Sequence, residues 1–353
     1  MRFIPERILF AALVTAVLTA CSPKATPTVP TPTPGATVPA ATPTGEPYVL
    51  LVAPESPPTK AAQLAVQAVE GFASEKGLAL RRVSPGDAIL ASGPLGNPAL
   101  VAAVASGDGP ALTSAAQAHA DLRFAAIEEP GVQPLANLLV VGGDNVRHDQ
   151  VAFMAGLLAT IENRNDYVGW VGEADTVRGK IYQNGFRHGI RYNCPRCRVF
   201  DFELSASADA AAGISAAGQL RENFIDTASA IPGAAGDAAL IHLAENGVRV
   251  AGAGPDFYRL VFSDGAANGA KSALGEPAFR PDLLLADLLA RCLAGESFAQ
   301  PVAYSLENGG LEFAPFPNDW ISSARQAFLR NILAEVAAGR LDIGIDPQTG
   351  EER

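Results

Sequence analysis

The chain has 353 residues and a formal net charge of −11, with 37 acidic side chains against 26 lysines and arginines. So acidic a balance argues against nucleic acid as a partner. The 4 histidines, His119, His148, His188 and His242, are scattered without metal-ligand spacing, so no metal or other cofactor is expected.

Arg2 and Arg7, the apolar run from Ile8 to Val17 and the small residues before Cys21 have the three-part layout of an export signal, assigned to residues 1–20. The run is too short to span a bilayer as a stable helix, and no second long apolar segment follows it. Residues 21–47 hold almost no large apolar side chain and alternate Pro with Thr. This composition predicts an extended, partly polyproline II tether reaching on the order of 3 Å per residue.

From Tyr48 onward the chain is long enough for two ordinary domains and alternates short apolar runs with amphipathic stretches. Tyr48–Ala53 (YVLLVA) reads as a buried strand. Thr59–Lys76 reads as a helix with Leu64, Val66, Val69 and Phe72 on its apolar face, and Leu78–Val83 as a second strand. Pro98–Ser106 reads as a helix, and Ala115–His119 sits in another after the turn at Gly107–Pro110. Arg123–Ile127 and Leu138–Val141 are predicted strands, followed by a helix over His148–Glu162 and a strand over Val168–Val171. Lys180–Ile190 is predicted helical, Val199–Glu203 a strand, Ala208–Glu222 and Ala238–Asn246 helices, and Val248–Gly252 a strand. This alternation predicts an α/β fold of mostly parallel, doubly wound sheets with right-handed crossovers. Two such units joined near Gly142–Asp149 predict two lobes facing each other across a cleft, the default ligand site. The expected division is 48–145 plus about 259–297 for the first lobe, and 146–258 plus about 298–353 for the second.

Cys194-Pro195-Arg196-Cys197 lies between a predicted helix and strand. A redox-active pair favours a helix N-terminus, which this motif lacks. A zinc half-site lacks its second pair, because Cys292 sits in an apolar helix. Outside the cytoplasm a small structural disulfide is the simplest reading, with free thiols in a reducing habitat the alternative. Gly213–Gly218 (GISAAG) is one residue too long for a nucleophile elbow and falls inside a helix, and GGDNVRHD lacks the lysine and spacing of a phosphate loop. With no nucleophile visible beside a base, an enzyme is not expected.

Leu18-Thr19-Ala20-Cys21 resembles the lipobox of bacterial lipoproteins, in which the signal is cut before the cysteine and its sulfur carries a diacylglycerol. The resemblance implies a chain anchored through Cys21 to the outer face of a membrane, at the cell surface or in a periplasm, each buried methylene contributing about 0.8 kcal/mol. Ordinary secretion, with Cys21 an incidental thiol, is the alternative. Further along, PALTSAAQAHADLRFAAIEEP, LANLLVVGGDNVRHDQVAFMAGLLATIENRNDYVGWVGE and QNGFRHGIRYNCPRCRVF follow one another in the order and spacing of the basic membrane protein (BMP) lipoproteins. The likeness runs from about Ala111 to Leu204, resumes at AENGVRVAGAGPD and continues to a final helix, Ile321–Arg340. Those lipoproteins are solute-binding components of ABC importers, the purine nucleoside receptors among them. The resemblance implies the type I periplasmic binding protein fold: two lobes, each a doubly wound sheet, linked by several crossovers that act as a hinge. It also implies an ABC permease as partner and a monomeric chain.

A nucleoside site needs an aromatic face, carboxylates or amides for base and sugar, and a cation near the ribose. Counting back from Glu70-Gly71, the family's Phe and Asn fall on Leu64 and Ala65 and its Asp near Ala61, none of which stacks on a base or hydrogen-bonds it. Glu128 in RFAAIEE matches the family's acid after a strand, and Asp256 in GAGPD matches the acid of a late turn. Ser272 matches part of a Thr-Ser…Lys segment in which Gly275 holds the lysine's place. Among groups read from the residues alone, Phe257 and Tyr258 are stacking candidates. The loop Pro232–Asp237 offers free amides at Gly233, with Asp237 either beside a ligand or a plain N-cap. Thr113 and Ser114 are helix caps or ligand contacts, and Trp170 and Phe153 are core. The expectation is a receptor that captures a small polar ligand, nucleoside-like by resemblance, between its lobes, closes about the hinge and releases it at the permease. The alternative is a sensing or scaffold lipoprotein with a degenerate pocket that signals to a membrane partner.

Overall fold

The computed structural model describes residues 45–87, 89–90, 95–173, 175–315 and 321–353. The expected export signal, Cys21 and the expected tether up to residue 44 lie outside the described residues. Strand β1 (Tyr48–Val52) leads through α1 (Lys60–Glu75), β2 (Ala79–Val83), β3 (Pro98–Val104), α2 (Gly109–Ala118) and β4 (Phe124–Ile127) to β5 (Leu138–Val146). Then come α3 (His148–Ile161), β6 (Tyr167–Glu173), α4 (Val177–Asn193), β7 (Arg198–Leu204) and α5 (Ala210–Glu222). They are followed by β8 (Thr227–Ala230), α6 (Ala234–Glu245), β9 (Arg249–Ala251), α7 (Phe257–Phe262) and β10 (Ala273–Phe279). The last elements are α8 (Pro281–Leu293), β11 (Val302–Tyr304), β12 (Leu311–Pro315) and α9 (Ser323–Ala337).

These strands build two six-stranded sheets, ordered β11-β5-β4-β3-β1-β2 and β12-β10-β9-β8-β6-β7. Pairing is parallel except between β10 and β12. Both faces of each sheet are covered. Val69 and Phe72 of α1 pack with Leu285 and Leu289 of α8 on one face of the first sheet, and Leu112 of α2 packs on the other. On the second sheet, Leu158 of α3 and Leu333 of α9 share one core, while Leu220 of α5 and Leu243 of α6 share the opposite one. Strands buried on both faces read as continuous apolar runs rather than alternating ones. That explains one correction. Pro98–Ser106, expected to be helical, is the central strand β3, buried everywhere but Ala99 and paired with β1 and β4. Its alanines favour a helix, and a doubly buried run carries no period to contradict them.

A second correction concerns the lobes. Residues 259–279, expected with the first lobe, stay with the second, because β10 pairs with β9 and β12. Glu276 and Pro277 interrupt the apolar run that would mark this strand. Residues 298–304, expected with the second lobe, end in β11 on the edge of the first sheet. The chain therefore passes between lobes at Arg147, at Arg280 and over 305–310. Backbone bonds tie these passages together, Arg147 N–H donating to Tyr304 O (3.0 Å) and Arg280 N–H to Gly310 O (2.9 Å). The first two passages share one device. Each arginine precedes a helix and grips the aspartate two residues on with two hydrogen bonds: Arg147 to Asp149 and Arg280 to Asp282, each at 2.9 and 2.7 Å. Their remaining nitrogens reach Glu307 (3.2 Å) and Glu312 (2.7 Å). Asp149 and Asp282 lie in the first turns of α3 and α8, where a negative charge complements the helix dipole.

The segments AFMAG and NGFRHG meet where α3 packs on α4. A Cβ on Gly156 would meet the Phe186 carbonyl oxygen and, at 3.0 Å, the Ile190 nitrogen; one on Gly189 would meet Phe153 O and, at 3.0 Å, Leu157 N. Glycine is needed where two backbones approach this closely. Trp170, fully buried beside them, stacks on Phe186 with ring centroids 4.7 Å apart. Cys194 and Cys197 form a disulfide after α4, and Cys292 is a buried free thiol. Among the described residues no helix is long and apolar enough to cross a membrane.

Candidate functional site

Beyond the carboxyl ends of β1, β9 and β10 the two lobes share a cavity of ≈ 540 Å³. Ligand sites of α/β sheets fall at this edge, and small-molecule pockets typically measure about 300–1,000 Å³. The first lobe contributes Lys60, Ala61 and Leu64 from the start of α1; the second contributes residues around α7 and the end of β10.

Helix α1 starts at Thr59, whose extended backbone lets its hydroxyl accept the Ala62 N–H at 3.0 Å. The next free amide, Lys60 N–H, is taken by the other lobe: Asp256 Oδ2 accepts it at 2.6 Å. Asp256 is 8 % exposed and adopts the left-handed backbone (φ 56°, ψ 20°), which aspartate tolerates better than most residues. Arg259 donates to the same carboxylate oxygen at 3.2 Å and to the carbonyl of Pro58. One carboxylate and one guanidinium of the second lobe thus hold the loop that enters α1, with the negative charge at the positive end of the helix.

Glu276 stands in β10 and accepts the Tyr258 backbone N–H at 2.9 Å, with a further backbone bond from Phe257. Burial pushes its carboxyl up to about 7; those amides pull it down, and Asp256 and Asp264 add like charge. Among the described residues no cation pairs with it. Arg280, also on the wall, is committed to Asp282 and Glu312. Tyr258 and Phe279 give the lining its aromatic surface, Phe279 resting against Tyr304 at 5.2 Å.

Of the residues singled out from sequence, Asp256 lines this cavity, and so do Ala61, Leu64 and Tyr258. The others stand elsewhere. Thr113 and Ser114 lie inside α2 rather than at its start, and their hydroxyls donate back to Gly109 O (2.8 Å) and Pro110 O (3.0 Å). In the loop before that helix, buried Glu129 accepts from Ser106 N (2.5 Å), Ser106 Oγ (2.7 Å) and Gly107 N (3.1 Å). Glu128 accepts the Tyr304 hydroxyl; burial raises its carboxyl, and that hydroxyl and the Gly143 backbone lower it. It holds the end of β11 within the first lobe, just before the third passage, and stands outside the cavity lining. Gly233 and Asp237 border two smaller recesses of ≈ 50 and ≈ 100 Å³ at the start of α6. Phe257 is core, 4 % exposed and edge-on to Phe262, while its neighbour Tyr258 faces the cavity. Ser272 donates to Ala244 O at 3.1 Å. Sequence reasoning missed Lys60, Arg259, Glu276, Phe279, Arg280 and Glu312. Only Glu276 carries a local signal, a lone acid inside the apolar stretch Ala273–Phe279.

Two parallel sheets, helices on both faces and a shared cleft define the class: a two-lobed α/β protein with the periplasmic binding protein fold. Solved structures bear this out. The chain is similar to an ABC transporter solute-binding protein from Conexibacter woesei DSM 14684, with 17% identity and a TM-score of 0.58 over 84% of this chain and 98% of that one. A transcriptional activator of the comK gene from Bacillus halodurans shows 14% identity and a TM-score of 0.57 over 86% and 99%. An ABC transporter solute-binding protein from Aeropyrum pernix K1 shows 14% and 0.52 over 84% and 93%. At such identities the likeness is one of fold. No protein-family model matches the chain, and no curated protein matches its sequence.

Proposed function

We propose that this chain is an extracytoplasmic solute receptor of an ABC importer, anchored through lipid on Cys21 and held off the membrane by its Pro/Thr tether. The observation that carries the reading is the cavity with walls from both lobes, bridged by Asp256 and Arg259. A ligand in that space touches both lobes and so favours the closed arrangement over the open one, which is the differential affinity that closure requires. Structural neighbours described as solute-binding proteins of ABC transporters support the role. The ligand is a small polar solute; a nucleoside is the one implied by the BMP resemblance, with Tyr258 and Phe279 as faces for a base. Catalysis plays no part in this reading.

A second reading is favoured by one observation. The comK transcriptional activator of Bacillus halodurans shares this fold without being described as a transport protein, and apolar Ala61 and Leu64 occupy the places of the family's Asp and Phe. A sensing lipoprotein with a degenerate pocket fits both. A thermal-shift screen of nucleosides, sugars and amino acids separates the two. A cognate solute at 100-fold over its Kd adds about 2.7 kcal/mol to the folded state. Stabilisation by one compound class supports the receptor, and indifference across the screen supports the sensor.

A further inference from the structure

Resting on the receptor reading, we propose that the ligand carries a protonated nitrogen, an ammonium or amidinium, which sits against the carboxylate of Glu276 between the aromatic surfaces of Tyr258 and Phe279. The charge inventory of the cavity leads there. Arg259 is paired with Asp256 and also bonds Pro58 O. Arg280 is paired with Asp282 and Glu312. The positive end of α1 is answered by Asp256. Lys60 is exposed, so water satisfies its ammonium. Among the described residues the wall therefore has no buried cation without an acid partner, although Arg259 Nε makes no hydrogen bond of its own. Glu276 is the reverse case: half-buried, bonded to two backbone amides and, among the described residues, paired with no cation. A half-buried carboxylate without a counter-ion carries a desolvation cost, and a ligand cation offsets that cost while gaining a charge-assisted hydrogen bond. Two aromatic rings on the same wall add favourable surface for a cation.

The charged groups facing Glu276 set how this interaction responds to pH. They are Lys60 from α1, Asp256, Arg259 and Asp264 around α7, Arg280 just after its own strand and Glu312 on β12. Because burial and the neighbouring acids hold Glu276 near 7, its protonated, uncharged form accumulates below neutrality. An amine that stays charged should then bind about tenfold more weakly near pH 6 than near pH 8.

The test is calorimetric titration of the full chain with matched probes: glucosamine against glucose, putrescine against 1,4-butanediol, and inosine as a neutral nucleoside. At least one amine should bind about ten- to a hundredfold more tightly than its neutral partner, as expected for a charged hydrogen bond. Glu276→Gln should abolish that preference; its amide oxygen still accepts the Tyr258 N–H, and the melting temperature without ligand checks its fold. Should Glu276→Gln not fold, the wild-type pH profile decides, a flat profile overturning the proposal. Tight binding of inosine or glucose with no preference for the amines keeps the receptor reading and overturns this one. Full amine binding by Glu276→Gln also overturns it, and indifference to every probe overturns both.

Discussion

Asp256→Ala tests whether the two lobes are held together as the cavity wall implies. The substitution removes the acceptor of Lys60 N–H at 2.6 Å and the partner of Arg259 at 3.2 Å. Loss of a carboxylate cap at a helix start costs about 1 kcal/mol. The ion pair adds less than about 1 kcal/mol, because the Arg259 side chain is 36% exposed and partly screened. Alanine also tolerates φ 56° worse than aspartate, by about 1 kcal/mol. The total is about 2–3 kcal/mol, of which the Lys60 bond, about 1 kcal/mol, crosses between the lobes, while the ion pair and the backbone cost lie within the second lobe. Asp256→Asn separates the parts, since asparagine keeps the backbone geometry and an oxygen acceptor and loses only the charge, about 1 kcal/mol. Each 1.4 kcal/mol shifts an open–closed equilibrium about tenfold. Small-angle scattering of the ligand-free chain should therefore show a larger radius of gyration for Asp256→Ala and an intermediate one for Asp256→Asn, with melting temperatures in the same order. If Asp256→Ala scatters and melts like the wild type, the carboxylate does not join the lobes and the reasoning fails.

Glu276 makes a separate prediction about stability. Its folded value of about 7 lies above the ordinary 4.5, so the folded chain holds the proton more tightly and this residue's contribution weakens as pH rises through that window. Glu276→Gln should melt higher than wild type near pH 8 and lose that part of the slope; parallel melting curves across the window would exclude it. Two helical glycines should respond oppositely to alanine. Gly156→Ala pushes a methyl into the α4 backbone and should cost about 1–3 kcal/mol, whereas Gly218→Ala in α5 meets nothing within 4 Å and should gain about 0.5–1 kcal/mol. Chemical denaturation reads both, and equal signs would count against the backbone contact. Replacing Cys194 and Cys197 together by serine opens a loop with a sequence separation of only 3, so the loss should be about 2 kcal/mol. Because the pair precedes β7, at the end of the sheet away from the cavity, titrations should give unchanged ligand affinity.

The alternation of strand and helix was legible because each sheet strand is an apolar run bounded by turns, and the helices carry their own apolar faces. It failed at β3, where alanines and double burial erased the period, and at β10, where Glu276 and Pro277 broke the run. Both failures displaced larger features: a central strand read as a helix, and a lobe boundary drawn before β10 rather than after it. The NGFRHG segment has a packing reason that sequence alone does not give. Gly185 and Gly189 carry part of the family resemblance, and their Cα atoms face α3, where a side chain would strike Asp149 O (2.8 Å) or Leu157 N (3.0 Å). Packing, not recognition, requires them.

The cavity was far less legible, since Lys60, Asp256, Glu276 and Glu312 come from distant parts of the chain and meet only when both lobes are folded. Asp256 is legible because GAGPD resembles the acid-bearing late turn of the BMP lipoproteins, and it also follows a strand end, where topology points to a ligand. What sequence could not foresee is that this acid is already engaged by the chain itself. On the receptor reading, with Asp256 capping α1, the ligand need not supply negative charge to the helix, and a closed arrangement would be held partly by protein contacts alone. A latch of about 2 kcal/mol raises the closed fraction about thirtyfold before any solute binds. A solute entering this cleft then contributes less toward closure, but it must wait for the Asp256 and Arg259 contacts to part. Weakening Asp256 should for that reason speed ligand entry while lowering the affinity at equilibrium.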